Sequence, residues 1–529
     1  MPANLADIYP ICWRSLGREE RETLLSETER DAGPDLFAAH VLGTAPSFAL
    51  KEFLPDLARL EWAVFQAGDL HHDLQRLPEA MQVNPTLSLL ETSWPGLVDL
   101  FKDGLDVKVP FAKGEEIVLI WRDPETGVIH VQAAVKGDLL ALKIVAEELD
   151  LAAISRSEDI ARSFLEGVLD RAVVKGLLLK PRSLLVRDQS IFGSDCVPPA
   201  GYLTARVFTL QWHITQTCDL SCRHCYDRSR RASVTLPAGI AILDDMADFC
   251  RRRNVAGQIS FTGGNPLLHP DFLDLYQAAL DRGLMTAILG NPIRRDVLER
   301  ICAIGRPEFY QVSLEGLQPH NDSIRGRGHF ERVLGFLEDL RTADIYAMVM
   351  LTLTRDNLDQ VLPLAERLQG LADRFFFNRL SMVGEGASLQ TPECQEYREF
   401  LDRFLAAAES NPVIGLKDNL INIVLERKNK ELFGGCAGYG CGAAFNFVSL
   451  LPDGEVHACR KFPSPIGNIN KNSIGEIYDA PEAALYRLGP TACRGCRIRH
   501  VCGGCLAVIH SRGLDVHTDR DPCCFIEYP

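Results

Sequence analysis

No stretch of the 529 residues is an apolar run of bilayer-spanning length. The opening MPANLADIYPICWRS lacks the basic region followed by an apolar one that marks a secretory signal. Neither a membrane protein nor an exported one is expected. A surplus of positive charge is missing as well: 56 Lys and Arg against 71 Asp and Glu leave a formal charge of -15, the wrong sign for a general nucleic-acid binder. What is present is 46% hydrophobic content, ample for a multidomain protein with sizeable cores, and 17 cysteines placed unevenly. Cys12, Cys196, Cys250, Cys302 and Cys394 are scattered and read as buried small hydrophobes. The others fall into two groups.

The first group is Cys218, Cys222 and Cys225 in CDLSCRHCYD, directly after the strand-like run VFTLQWHIT. Four-iron clusters are normally held by four thiolates, so three on one short C-x3-C-x2-C loop leave one iron open to a ligand. The alternative is a closed zinc site made by the three thiolates with His224. The second group is Cys436, Cys441, Cys459, Cys493, Cys496, Cys502, Cys505, Cys523 and Cys524, which contains a C-x2-C-x5-C-x2-C run and a terminal pair. Eight thiolates make two complete sets of four, although two C-x2-C pairs would also suit zinc. Arg460, Lys461, Arg494, Arg497, Arg499 and His500 crowd these cysteines and could offset the charge of a cluster, although a solvated surface is the simpler reading. Oxygen-sensitive thiolate ligands fit a reducing cytosol, where disulfides are rare.

Between the two groups, strand and helix alternate. After VFTLQWHIT come QISFT, LMTAIL, FYQVSLE, IYAMVMLTLT and FFFNRLSM, separated by helical patterns such as HFERVLGFLEDLRTA. Six βα units predict a parallel sheet, with function at the strands' carboxyl ends. That rule gathers Gly290, Asn291, Ser313, Glu315, Thr352, Thr354 and Asn378 through Met382 at one mouth.

These motifs resemble the radical S-adenosylmethionine (SAM) enzymes over roughly residues 200–529. Gly263, Gly264, Asn265 and Pro266 match that family's Gly-Gly-Glu-Pro turn, with Asn in place of Glu. The resemblance implies that this turn grips the amino group of SAM, that Asn291 and Ser313 help place SAM, and that Arg325, in NDSIRGRGHFERV, partners a carboxylate. It also implies one [4Fe-4S] cluster on Cys218, Cys222 and Cys225 that binds SAM. The second cysteine group resembles the auxiliary-cluster domain called SPASM, with two residues rather than three between Cys502 and Cys505. Carried over, Cys436, Cys441, Cys459 and Cys505 hold one auxiliary [4Fe-4S] cluster. Cys493, Cys496, Cys502 and one of the terminal pair, Cys524 in preference to Cys523, hold another.

The fold class expected is therefore α/β. A helical region (1–100) and a winged-helix-like domain (101–200) precede a partial (β/α)6 TIM-like barrel (201–410) and a small cysteine-rich domain (411–529). The winged-helix order begins with a hairpin turning around Pro124 to Gly127 and continues with two or three short helices. It resembles peptide-recognition domains that add a leader segment as an edge strand, with a cap or dimerisation domain as the alternative. By analogy the activity is that of a maturase of ribosomally made peptides, supplied with electrons by a flavodoxin or ferredoxin. The layout resembles the maturases of selenobiotic, thio(seleno)oxazole-type peptides. An anaerobic sulfatase-maturating enzyme is the neighbouring reading, but there an acidic residue follows the cysteine occupied here by Cys459, and this chain has Arg460. A non-catalytic electron carrier or zinc-stabilised scaffold is the reading from another class.

Overall fold

The computed structural model describes residues 5–27, 33–44, 53–69, 78, 80–103, 113–124, 126–158, 160, 162–193 and 196–526. Two compact units divide the chain, Met1–Arg182 and Ser183–Pro529.

The first unit is built around a short antiparallel sheet. Strand β1 is Gln82–Val83, β2 Ser88–Thr92, β3 Glu116–Arg122, β4 Ile129–Ala133 and β5 Leu178–Leu179. The sheet order is β2-β3-β4, and β1 pairs with β5 separately. Alternation along β3 explains how it serves two cores: Val118 and Ile120 face one with the N-terminal helices, while Leu119 and Trp121 face another with the helices Lys136–Ala146 and Arg162–Val174. The hairpin turn closes where Asp123 N–H donates to Val128 O at 2.8 Å. The 107–112 part of the expected hairpin segment lies outside the described residues. Strands β1 and β2 correct the all-helical reading of residues 1–100. The segment SLLET is too short to declare a period, and becomes a strand because Leu90 and Thr92 turn inward once it pairs with β3.

In the helical part of this unit, Glu61 on helix Leu54–Asp69 accepts from Ile11 N–H at 2.5 Å and Cys12 N–H at 3.3 Å. These are donors at the start of helix Pro10–Ser15, which no residue of that helix can satisfy. Burial pushes the Glu61 carboxyl up to about 7 from 4.5, against the lowering effect of those donors. The folded state thus holds the proton more tightly than the unfolded chain. Stability from this group is complete below the unfolded value and is lost as pH rises through about 7, at most about 3 kcal/mol. Glu61→Gln keeps one oxygen acceptor and is expected to remove that loss. Unfolding followed by tryptophan fluorescence from pH 5 to 8 checks this, since Trp13, Trp62, Trp94 and Trp121 all lie in this unit.

In the second unit six parallel strands form the partial barrel: β6 Val207–Thr215, β7 Ala256–Gly263, β8 Met285–Leu289, β9 Phe309–Ser313, β10 Ala347–Leu353 and β11 Arg374–Arg379. They lie in sequence order, as successive crossovers require. The helix after the first strand shows why the alternation holds. Thr235 caps Leu236–Arg253 by accepting from Ala238 N–H. Ile242, Leu243, Met246 and Phe249 bury one face, Arg251 to Arg253 fill the last turn, and Asn254 ends it in the left-handed conformation. Phe208, Leu210, Trp212 and Ile214 of β6 are all buried within the same core.

The sheet does not stop at the barrel. Strands β12 Phe447–Leu450, β13 Glu455–His457 and β14 Pro465–Asn468 continue it, with β12 parallel to β6 and the other two antiparallel. The cysteine-rich segment is therefore hydrogen-bonded onto the barrel's first strand. Residues 183–200, grouped by sequence with the winged-helix region, fall in this second unit.

Candidate active site and auxiliary cysteine sets

The loop carrying Cys218, Cys222 and Cys225 leaves the carboxyl end of β6 and is stitched to the turn after β7. Gly264 N–H donates to Thr215 O at 2.9 Å and Asn265 N–H to Thr217 O at 2.7 Å. The two glycines are required here. Gly263 has φ +139°, and a Cβ would stand 2.1 Å from Thr215 O there and 2.3 Å from Thr217 O at Gly264. Asn265 then opens the short helical turn at Pro266, its side-chain oxygen accepting from Leu267 N–H at 3.3 Å. Its amide donates to Asp219 Oδ1 at 3.0 Å, and Asn291 donates to the same oxygen at 2.6 Å. Asn291 also reaches Cys218 Sγ at 3.8 Å, and its carbonyl accepts from the buried Tyr310 hydroxyl at 2.8 Å. Ser313 closes β9, and Glu315 follows two residues later.

Glu315 organises the opposite side of the mouth. Arg325 donates to its Oε1 from Nε at 2.8 Å and Nη2 at 2.6 Å, and Nη1 lies 3.7 Å from Cys222 Sγ. The carboxylate that Arg325 partners is thus internal. Glu315 Oε2 accepts from Thr352 N–H at 2.8 Å, while Asn357 donates to the Glu315 carbonyl and the Thr352 carbonyl. Burial alone would raise the Glu315 carboxyl, but His224, Arg325 and the Thr352 N–H hold it below the ordinary glutamate value. His224 Nε2 is 3.3 Å from Glu315, so the imidazole turns to this carboxylate instead of completing a four-ligand set with the thiols. Among the described residues no three His, Cys, Asp or Glu side chains stand close enough to hold a single metal ion.

The nine C-terminal cysteines sort into sets. Cys493, Cys496, Cys502 and Cys524 line one cavity together with Leu420, Ile423, Ile498 and Ile526. Cys441 feels the charges of Cys436 and Cys505, and Cys459 those of Cys441 and Cys505. Burial pushes Cys441 up to about 11, Cys459 to about 12 and Cys493 to about 11, and raises Cys218, Cys222, Cys225, Cys496, Cys502 and Cys524 as well. Such thiols ionise when a metal takes the charge. Beside them the buried Nε atoms of Arg187, Arg460 and Arg499 have no acceptor among the described residues. Iron-sulfur clusters, with thiolate ligands and anionic sulfur, fit all three features. Cys523 stands apart from both sets, bonded to Cys394. That corrects the reading of Cys394 as an isolated buried thiol, in a chain where disulfides were expected to be rare. The pair meets where helix Cys394–Ser410 starts against the terminal segment, Cys394 Sγ lying 3.5 Å from the Pro522 carbonyl oxygen.

Several of the basic residues are not a solvated surface: Arg499 is 6% and His500 8% exposed. Arg460 pairs with Asp227 and stacks 4.9 Å over Tyr226, joining the segment after Cys459 to the loop of Cys225. Arg187 was not legible in sequence. It sits in the segment before the barrel, donates to the carbonyls of Tyr439 at 2.7 Å and Cys441 at 2.6 Å, and lies over Phe445. Asp521 was also missed. It accepts a paired interaction from Arg379 at 2.9 and 2.6 Å and takes the N–H groups of Cys505 at 3.0 Å and Cys523 at 3.1 Å, so one buried carboxylate ties β11 to both cysteine segments.

Comparison with known proteins agrees with this geometry. Residues 212–368 match the radical SAM superfamily, and residues 441–505 match the SPASM iron-sulfur cluster-binding domain. The AdoMet-dependent heme synthase of Methanosarcina barkeri is 27% identical over 345 residues, 60% of this chain and 95% of its own length. Mycofactocin maturase MftC of Mycolicibacterium smegmatis is 27% identical over 335 residues, 60% of this chain and 82% of its own. The subtilosin biosynthesis protein AlbA of Bacillus subtilis is 25% identical over 311 residues, 56% and 66% respectively. The crystal structure of Streptococcus suis SuiB bound to S-adenosylmethionine shares the fold at a TM-score of 0.50, with 16% identity, covering 78% of this chain and 96% of that one. The chain therefore carries a radical SAM domain and a SPASM iron-sulfur domain, and it is an enzyme whose cofactors are [4Fe-4S] clusters and SAM.

Proposed function

We propose that this enzyme modifies a ribosomally made precursor peptide. The observation that carries the reading is the pairing of a three-thiol loop at the barrel mouth with eight further thiols in two sets on the same compact unit. Support for the substrate class comes from the relatives, a bacteriocin biosynthesis protein and a mycofactocin maturase among them. The first unit offers a place for a leader segment, since among the described residues the three-stranded order β2-β3-β4 leaves edges to which a strand can add. The selenobiotic, thio(seleno)oxazole subgroup and a cytosolic setting with flavodoxin or ferredoxin as donor complete the proposal.

When bound, the cluster on Cys218, Cys222 and Cys225 and SAM together supply a 5′-deoxyadenosyl radical that removes a substrate hydrogen. The chain's own part is orientation. Gly263 and Gly264 let backbone approach the loop closely, Asn265, Asn291 and Ser313 line the mouth, and Arg325 is fixed against Cys222 by Glu315. We assign Cys436, Cys441, Cys459 and Cys505 to one auxiliary cluster and Cys493, Cys496, Cys502 and Cys524 to the other. Arg460 is tied to Asp227, so the residue following Cys459 offers no acidic group of the kind sulfatase maturation uses.

With reductant and SAM, anaerobically reconstituted protein is expected to release 5′-deoxyadenosine, and a cognate precursor peptide is expected to raise that release and change in mass. No release from fully iron-loaded protein would favour the electron-carrier or scaffold reading.

A further inference from the structure

The mouth holds four carboxylates close to the three thiols, and three of them have a cation. Glu315 pairs with Arg325, Asp227 with Arg460, and Glu385 with Arg228. Asp219, the residue directly after Cys218, has none among the described residues. It is nevertheless held in place. Two amides from different strand ends, Asn265 and Asn291, converge on Oδ1 at 3.0 and 2.6 Å, and both are buried, 3% and 9% exposed. Their own anchors are firm, since Asn265 accepts from Leu267 N–H and the Asn291 carbonyl accepts from Tyr310. Among the described residues none bonds to Oδ2. A fixed carboxylate with one free oxygen and no cation, beside the first thiol of an open cluster loop, suits a cationic ligand that donates hydrogen bonds. The turn beside it, at Asn265, supplies an amide and no charge.

We propose that Asp219 is the anionic receptor for the α-ammonium of SAM, with Asn265 and Asn291 as the residues that position it. This rests on the reading of the three-thiol loop as the SAM site. In this arrangement the negative charge sits on the cysteine loop and the amide on the Gly-Gly turn. The two side chains are 3.0 Å apart, so a ligand at the mouth meets the same net charge whichever of them carries the carboxylate.

The test uses full-length reconstituted protein and measures SAM binding by equilibrium dialysis, alongside the change SAM causes in the electron paramagnetic resonance of the reduced cluster. Asp219→Asn is expected to keep its iron, weaken SAM about 10- to 100-fold, and lose any preference for SAM over its desamino analogue. The double variant Asp219→Asn with Asn265→Glu moves the charge across and is expected to restore both affinity and preference. If Asp219→Asn loses iron, the double variant carries the test alone: retained iron without SAM affinity overturns the proposal. Asp219→Asn binding SAM like the unaltered protein, or keeping the preference over the desamino analogue, also overturns it and leaves the SAM site standing. Unaltered protein that holds iron and binds no SAM overturns both.

Discussion

Cys222→Ala is expected to abolish 5′-deoxyadenosine release while leaving the two auxiliary sets loaded. Two thiolates on the 218–225 loop cannot hold a four-iron cube, and Arg325, which lies 3.7 Å from Cys222 Sγ, remains clamped by Glu315 without offering a ligand. The eight C-terminal thiols belong to segments tied to β11 through Asp521 and to β6 through β12, none of which involves Cys222. Iron should therefore fall by about four per chain, with about eight remaining. Release at more than a trace level from this variant would mean that the cluster is held elsewhere.

The terminal cysteine pair gives the second large effect, because neighbouring residues are expected to behave in opposite ways. Cys524 faces the cavity with Cys493, Cys496 and Cys502, whereas Cys523 is bonded to Cys394. Cys524→Ser is expected to remove about four iron per chain, and Cys523→Ser none. Iron analysis with electron paramagnetic resonance of the reduced proteins separates the outcomes. Equal losses in the two variants, or a loss only at Cys523, would reverse the assignment.

The sequence made some of this plain and hid the rest for physical reasons. The six barrel strands were legible because each is a compact apolar or β-branched run bounded by a helix of strong period, as in VFTLQWHIT followed by the capped helix at Thr235. Strands β12 to β14 have only three or four residues each, too few to show alternation, and exist because β6 offers an open edge. Cysteine spacing marked the ligand candidates, since a short loop limits which thiols can meet. It did not separate Cys523 from Cys524, because adjacent residues differ in direction and not in reach. Asp219 and Asp521 looked like ordinary loop residues, as Asp does wherever chains turn. Their meaning comes from partners 46, 72 and 142 positions away, Asn265, Asn291 and Arg379. Arg187 was hidden for the same reason, reaching carbonyls more than 250 residues away. Arg499 and His500 read as surface because their neighbours in sequence are charged, yet both are buried.

The measurement that bears most directly on the whole account is iron and acid-labile sulfide per chain in protein purified and reconstituted without oxygen. About twelve of each is expected, one four-iron cluster on the 218–225 loop and one on each C-terminal set. About four of each with zinc beside them would leave the SAM site and contradict the auxiliary clusters. No iron at all would contradict the account as a whole.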